Sequence, residues 1–158
     1  MHNSKKTWSF KEQIAVGDEG QRLFLKNYHT PITEYVPHAA DFQVVSTGAL
    51  VELKTDTYSM AKTPNFFIER WSDIGSKKPG SVWQSVEKGV TIFCYMFLND
   101  RTYFEFVDLP ALVSRLDTLT DGAYLMAIKN RGWTTGGYRV KRSDLKDLYT
   151  QYTFEVEK

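Results

Sequence analysis

"DFQVVSTGALVELKTD", residues 41–56, reads as two short strands folded back on each other. "DFQVV" and "ALVELKTD" are rich in β-branched and apolar residues, and the "STG" between them is a short turn carrying glycine. Ten residues separate Asp41 from Glu52, and Lys54 follows two beyond. Residues i and i+2 of a strand point to one face, so Glu52 and Lys54 project together while Leu53 turns away. A turn near Ser46 to Gly48 brings Asp41 across the hairpin, close to both.

Two carboxylates at that distance repel unless a cation sits between them. Oxygen-only ligands favour magnesium or manganese, with the Leu53 carbonyl as a further ligand. Such an ion would hold a phosphate oxygen and lower the pKa of a bound water. Lys54 would orient or deprotonate that water, or neutralise the charge that develops. The pattern is that of a metal-dependent nuclease. The competing reading is a solvated strand edge with a surface ion pair, which a string this short also produces. Against it, "VELK" sets charged groups inside an apolar strand, where burial without a partner is costly.

The rest of the chain predicts a mixed α/β domain around a central sheet. Residues 18–28, "DEGQRLFLKNY", predict a helix entered at Gly17, with Gln21, Phe24, Leu25 and Tyr28 on one face. "NFFIERW", 65–71, is a third strand and "GSKKPGS" a loop. "VWQSVEK" follows as a short helix capped by Ser81 and stopped at Gly89. "VTIFCYMFL" and "RTYFEFV" form a second hairpin about Asn99 and Asp100, and a helix runs from about Leu109 to Leu116 with Pro110 in its first turn. The end reads as a strand "YLMAIKN", a Gly-rich loop "RGWTTGG", a strand "YRVKR", a short helix begun by Ser143 and Asp144, and a closing strand "YTFEV".

The residues Asp41 and Glu52-Leu53-Lys54 resemble the signature of the PD-(D/E)XK, or restriction-endonuclease-like, nuclease superfamily. The resemblance runs over roughly residues 15–107, in the order αβββαβ, and implies a central mixed sheet flanked by helices. It further implies a magnesium-dependent DNA endonuclease, with manganese able to substitute. Asp41, Glu52 and the Leu53 carbonyl would hold the metal, and Lys54 would assist catalysis. Family members often carry a glutamate on the first helix in a G-x-x-G-E pattern. This chain has "GDEGQ", so either Gln21 stands there, or Glu19, roughly 200° around the helix, reaches the site. Gln84 and Ser85 lie where the family often places polar residues facing substrate or the lysine, with helix capping as the competing role.

At 158 residues the chain predicts one domain, 1–158, with a real core. Compactness suggests the small structure-selective nucleases that cleave junctions or branches, and cutting two strands suggests a two-fold homodimer. The alternatives are a sequence-specific restriction or homing endonuclease, and a non-catalytic nucleic-acid-binding module. The net charge of +1 confines attraction for DNA to local patches. Lys77 and Lys78, with Arg131, Arg139, Lys141 and Arg142, are candidate phosphate contacts, backed by Lys62, Arg70 and Lys88, and Trp133 is a candidate for stacking.

Glu69 is an extra ligand or, more simply, one half of an ion pair with Arg70 or a neighbouring lysine. His29 and His38 have no standard ligand spacing and predict loop histidines, His2 a terminal one, and Cys94 a small core residue. One cysteine excludes an intramolecular disulfide and fits a reducing compartment. "MHNSKKTWSF" lacks the apolar core of a signal peptide, and "VTIFCYMFLN" falls far short of a roughly 20-residue span. These features predict a soluble, cytoplasmic protein.

Overall fold

The first helix, α1 (Phe10–Asn27), passes through Gly17 instead of starting there. An interior glycine costs a helix only about 1 kcal/mol, and this one carries two. In the computed structural model, which describes residues 10–35, 37 and 40–155, the second of them has a packing reason. A Cβ on Gly20 would lie 2.2 Å from Thr55 Oγ1, so its bare backbone lets α1 cross close over the strand that carries Glu52 and Lys54. Phe24 and Tyr28 anchor the buried stripe as predicted, whereas Leu25 falls outside it and is exposed.

The hairpin forms in the predicted place. β2 (Phe42–Val44) pairs antiparallel with β3 (Leu50–Asp56), Phe42 opposite Val51, around a turn in which Gly48 takes φ +76°. A short strand that the sequence reading missed, β1 (Ile32–Glu34), flanks β2. β3 then pairs in parallel with β6 (Ile92–Phe97), which continues into β7 (Thr102–Phe106) and β10 (Tyr149–Thr153). The result is a six-stranded mixed sheet in the order β1-β2-β3-β6-β7-β10. It is covered by α1 on one face, over Phe42, Val51, Cys94 and Met96. On the other lie α2 (Ser81–Glu87) and α3 (Leu109–Thr120), over Phe93, Tyr95, Phe104 and Phe106.

The third predicted strand departs from the expected single sheet. β4 (Asn65–Asp73) leaves the hairpin and joins a second, antiparallel sheet, β5-β4-β9-β8, with β5 (Lys78–Pro79), β8 (Met126–Lys129) and β9 (Thr134–Lys141). Burial explains the exchange. β6 is apolar on both faces and is buried almost throughout, which suits the middle of a sheet. β4 alternates, burying Phe66 and Ile68 against the main core while its other face stays partly open.

Four boundaries also move. Gly80, not Ser81, is the N-cap of α2, and the position needs a bare backbone because a Cβ there would meet the Glu69 carbonyl at 1.7 Å. The predicted loop "RGWTTGG" is half strand, since β9 begins at Thr134. The short helix at Ser143 is a 3-10 turn, Arg142–Leu148, and the closing strand begins earlier, at Tyr149. Among the described residues no helix is long and apolar enough to cross a membrane.

Candidate active site

β2 begins only at Phe42, and this late start builds the site. One step further in the same register, Asp41 stands opposite Glu52, and its backbone N–H still donates to the Val51 carbonyl at 3.0 Å. With no strand beside it there, the Leu53 N–H donates to Asp41 Oδ2 at 2.8 Å. Gln21 Nε2, one residue beyond the close approach at Gly20, donates to Asp41 Oδ1 at 3.0 Å. The carboxylate is thereby fixed from a helix and a strand at once, with one lone pair left on each oxygen.

Asp41 and Glu52 share a cleft of about 250 Å³ with Glu69, Gln84, Ser85 and Lys88, and with Lys78 at its edge. Burial pushes the Glu52 carboxyl up from its ordinary 4.5 to about 8, with repulsion from Asp41 adding to it and Lys88 opposing. Asp41 is also raised by burial, though the Leu53 N–H works against the shift. Ser72 Oγ, in the same wall, is the buried side-chain atom without a hydrogen-bond partner among the described residues.

Lys54 projects from the same strand face as Glu52, but its ammonium is bonded to Glu69 Oε1 at 2.9 Å. Glu69 takes the neighbouring-lysine role, and Arg70 instead stacks against Trp71 and Trp83, at 4.2 and 4.6 Å from the ring centres. Lys54 is thereby held by Glu69, while Lys88 is the cation that acts on Glu52. Among the described residues no group of three or more His, Cys, Asp or Glu side chains is placed to hold a metal ion. The acids opposed in the cleft are the two carboxylates Asp41 and Glu52, and oxygen ligands of this kind suit magnesium, an ion usually held by one or two carboxylates with its remaining positions hydrated.

Other candidates separate from this centre. Glu19 is exposed and ion-paired with Arg22 at 3.0 Å, so Gln21 is the α1 residue at the site. Ser85 donates within its helix to the Ser81 carbonyl at 2.7 Å, and Gln84 Nε2 donates to the Pro79 carbonyl. Lys77 and Lys141 are exposed away from the cleft, and Arg139 lines a larger neighbouring cleft. Arg142, a candidate phosphate contact, is engaged within the protein. Its guanidinium donates to the Asn65 and Met60 carbonyls at 3.2 and 3.4 Å and lies 5.2 Å from the Phe97 ring centre. Arg142→Ala is expected to lower stability by about 1–3 kcal/mol, which thermal unfolding will read.

His29 is a loop residue as expected, and its Nε2 lies 2.9 Å from Glu105, a buried acid that also accepts from Tyr28 Oη. His38 and His2 lie outside the described residues. Sequence reasoning missed Ser72 altogether and used Lys88 only as a reserve phosphate contact. Lys88 had a signal, because it directly follows the helix that carries the cleft-lining Gln84 and Ser85.

No protein-family model matches the chain, and neither curated proteins nor solved structures return a match.

Proposed function

We propose that the protein is a metal-dependent DNA endonuclease with a restriction-endonuclease-like core, selective for branched or junction DNA and acting as a two-fold dimer. The observation that carries this reading is the half-buried pair Asp41 and Glu52, opposed across a hairpin, with burial and repulsion from Asp41 raising Glu52 to about 8 against the charge of Lys88. Unbalanced carboxylates of this kind are costly in a cleft unless the site binds a cation. Asp41, Glu52 and the Leu53 carbonyl would hold Mg²⁺, or Mn²⁺ in its place. The ion supplies charge stabilisation at a phosphate and a lowered pKa for a bound water.

The chain's own groups do the rest. Gln21 and the Leu53 N–H fix Asp41 in one orientation. Glu52 gives up its proton when the cation binds. Lys54 transfers its ammonium from Glu69 to the developing charge, and Lys78 and Lys88 meet the flanking phosphates at the cleft edge. Incubation with supercoiled plasmid, linear duplex, single strand and four-way junction, with and without magnesium, tests the reading. Magnesium-dependent cleavage is expected, strongest on the junction, and absent from Asp41→Ala and Glu52→Ala. Undiminished cleavage by both variants would remove the assignment from this site.

A further inference from the structure

A second, larger cleft of about 720 Å³ lies between α1, the end of β3 and the β4-β9-β8 surface. It adjoins the carboxylate cleft directly, because Glu69 lines both and its partner Lys54 lines the larger one. We propose that this cleft binds single-stranded nucleic acid and leads an unpaired strand past Lys54 to the carboxylates. The proposal rests on the nuclease reading for its destination, and on the cleft alone for its ligand.

Two aromatic rings set the ligand class. Phe67 reaches over Gly137, where an added Cβ would lie 2.5 Å from its Cζ, so β9 keeps a bare backbone beneath the ring. Tyr58 is 70 % exposed at the cleft wall, and its backbone N–H is held by Asp56 Oδ1 at 2.7 Å. Aromatic faces in a cleft suit bases that are out of their stack; a duplex hides its base faces, whereas a single strand presents them.

Charge agrees with this. Both acids of the cleft are already bonded, Asp56 to Tyr95 Oη and the Tyr58 N–H, and Glu69 to Lys54. Lys62 and Arg139 line the same cleft and have no ion-pair partner among the described residues, which leaves them for phosphates.

The test is fluorescence anisotropy in EDTA with labelled oligothymidylate, oligouridylate and a blunt duplex of equal length. The single strands should bind more tightly than the duplex, and the tighter of the two identifies DNA or RNA as the strand. Tyr58→Ala, an exposed change that leaves the core intact, should weaken single-strand binding by about 5- to 150-fold, equivalent to about 1–3 kcal/mol per stacked base. Lys62→Ala and Arg139→Ala should each flatten the log-log salt slope by about 0.7. Single-strand affinity unmoved by Tyr58→Ala, or a duplex bound as tightly as the strands, would overturn the proposal. Neither metal nor cleavage enters the measurement, so that failure would leave the nuclease reading standing, and a failed plasmid assay would leave this cleft's ligand untouched.

Discussion

Lys54→Ala is expected to lower the cleavage rate at saturating DNA by about 10² to 10³, the usual cost of removing one donor that acts on transition-state charge, while DNA affinity measured in calcium stays at the parent's value. The separation follows from where the ammonium sits. It bonds Glu69 on the same strand face as Glu52, at the boundary between the two clefts, and only one bond has to be exchanged for it to serve the reacting phosphate. Loss of the fold does not confound the result, because Lys54 and Glu69 are both partly exposed and such pairs contribute only about 0–1 kcal/mol. Glu69→Gln supplies the companion measurement. It keeps a hydrogen-bond acceptor for the ammonium but removes the charge, and should change the rate far less than Lys54→Ala. A Lys54→Ala variant that lost affinity and kept its rate would make the residue a phosphate clamp and nothing more.

The hairpin was legible because strand alternation and a glycine turn are local signals, and a period of two assigns Glu52 and Lys54 to one face without further information. The opposition of Asp41 to Glu52 followed from the turn position in the same way. What alternation does not encode is the strand's partner. "NFFIERW" reads equally well beside β3 or beside β9, and only the wholly apolar β6, which needs cover on both faces, decides that β3 pairs with β6. The choice between Glu19 and Gln21 was hidden for a related reason. It depends on α1 crossing close over β3 at Gly20, a contact between segments 35 residues apart in sequence. The intramolecular role of Arg142 was not legible, because a cation near the C-terminus reads as surface, while its guanidinium bonds two backbone carbonyls beside a phenylalanine. His29 lies in the loop after α1 as expected, but its contact with Glu105 was hidden because that acid is far along the chain in an otherwise apolar strand.

Glu52→Gln should abolish divalent-ion binding and at the same time stabilise the metal-free protein at alkaline pH, two effects in opposite directions from one carboxylate. The folded protein holds the Glu52 proton up to about pH 8, whereas the unfolded chain releases it near 4.5. Between those values the unfolded state has fewer protons bound, so stability falls as pH rises. The protonated group's contribution is fully present below 4.5 and lost through about 8. Asp41 is raised by burial as well and acts with the same sign. Glutamine keeps the shape, carries no charge, and relieves Asp41 of its neighbour's repulsion. Thermal unfolding in EDTA on the alkaline side of pH 8 should therefore place the variant above the parent by about 5–10 °C, corresponding to about 2–4 kcal/mol. At pH values below 4.5 the two should converge. Magnesium reverses the ranking. Binding requires Glu52 to ionise, so titration calorimetry at neutral pH should record close to one proton released per ion in the parent and no binding in Glu52→Gln. An EDTA melting temperature in the parent that is flat across this pH range would mean that Glu52 is already ionised in the folded protein, and the unbalanced carboxylate pair that supports the metal site would be gone.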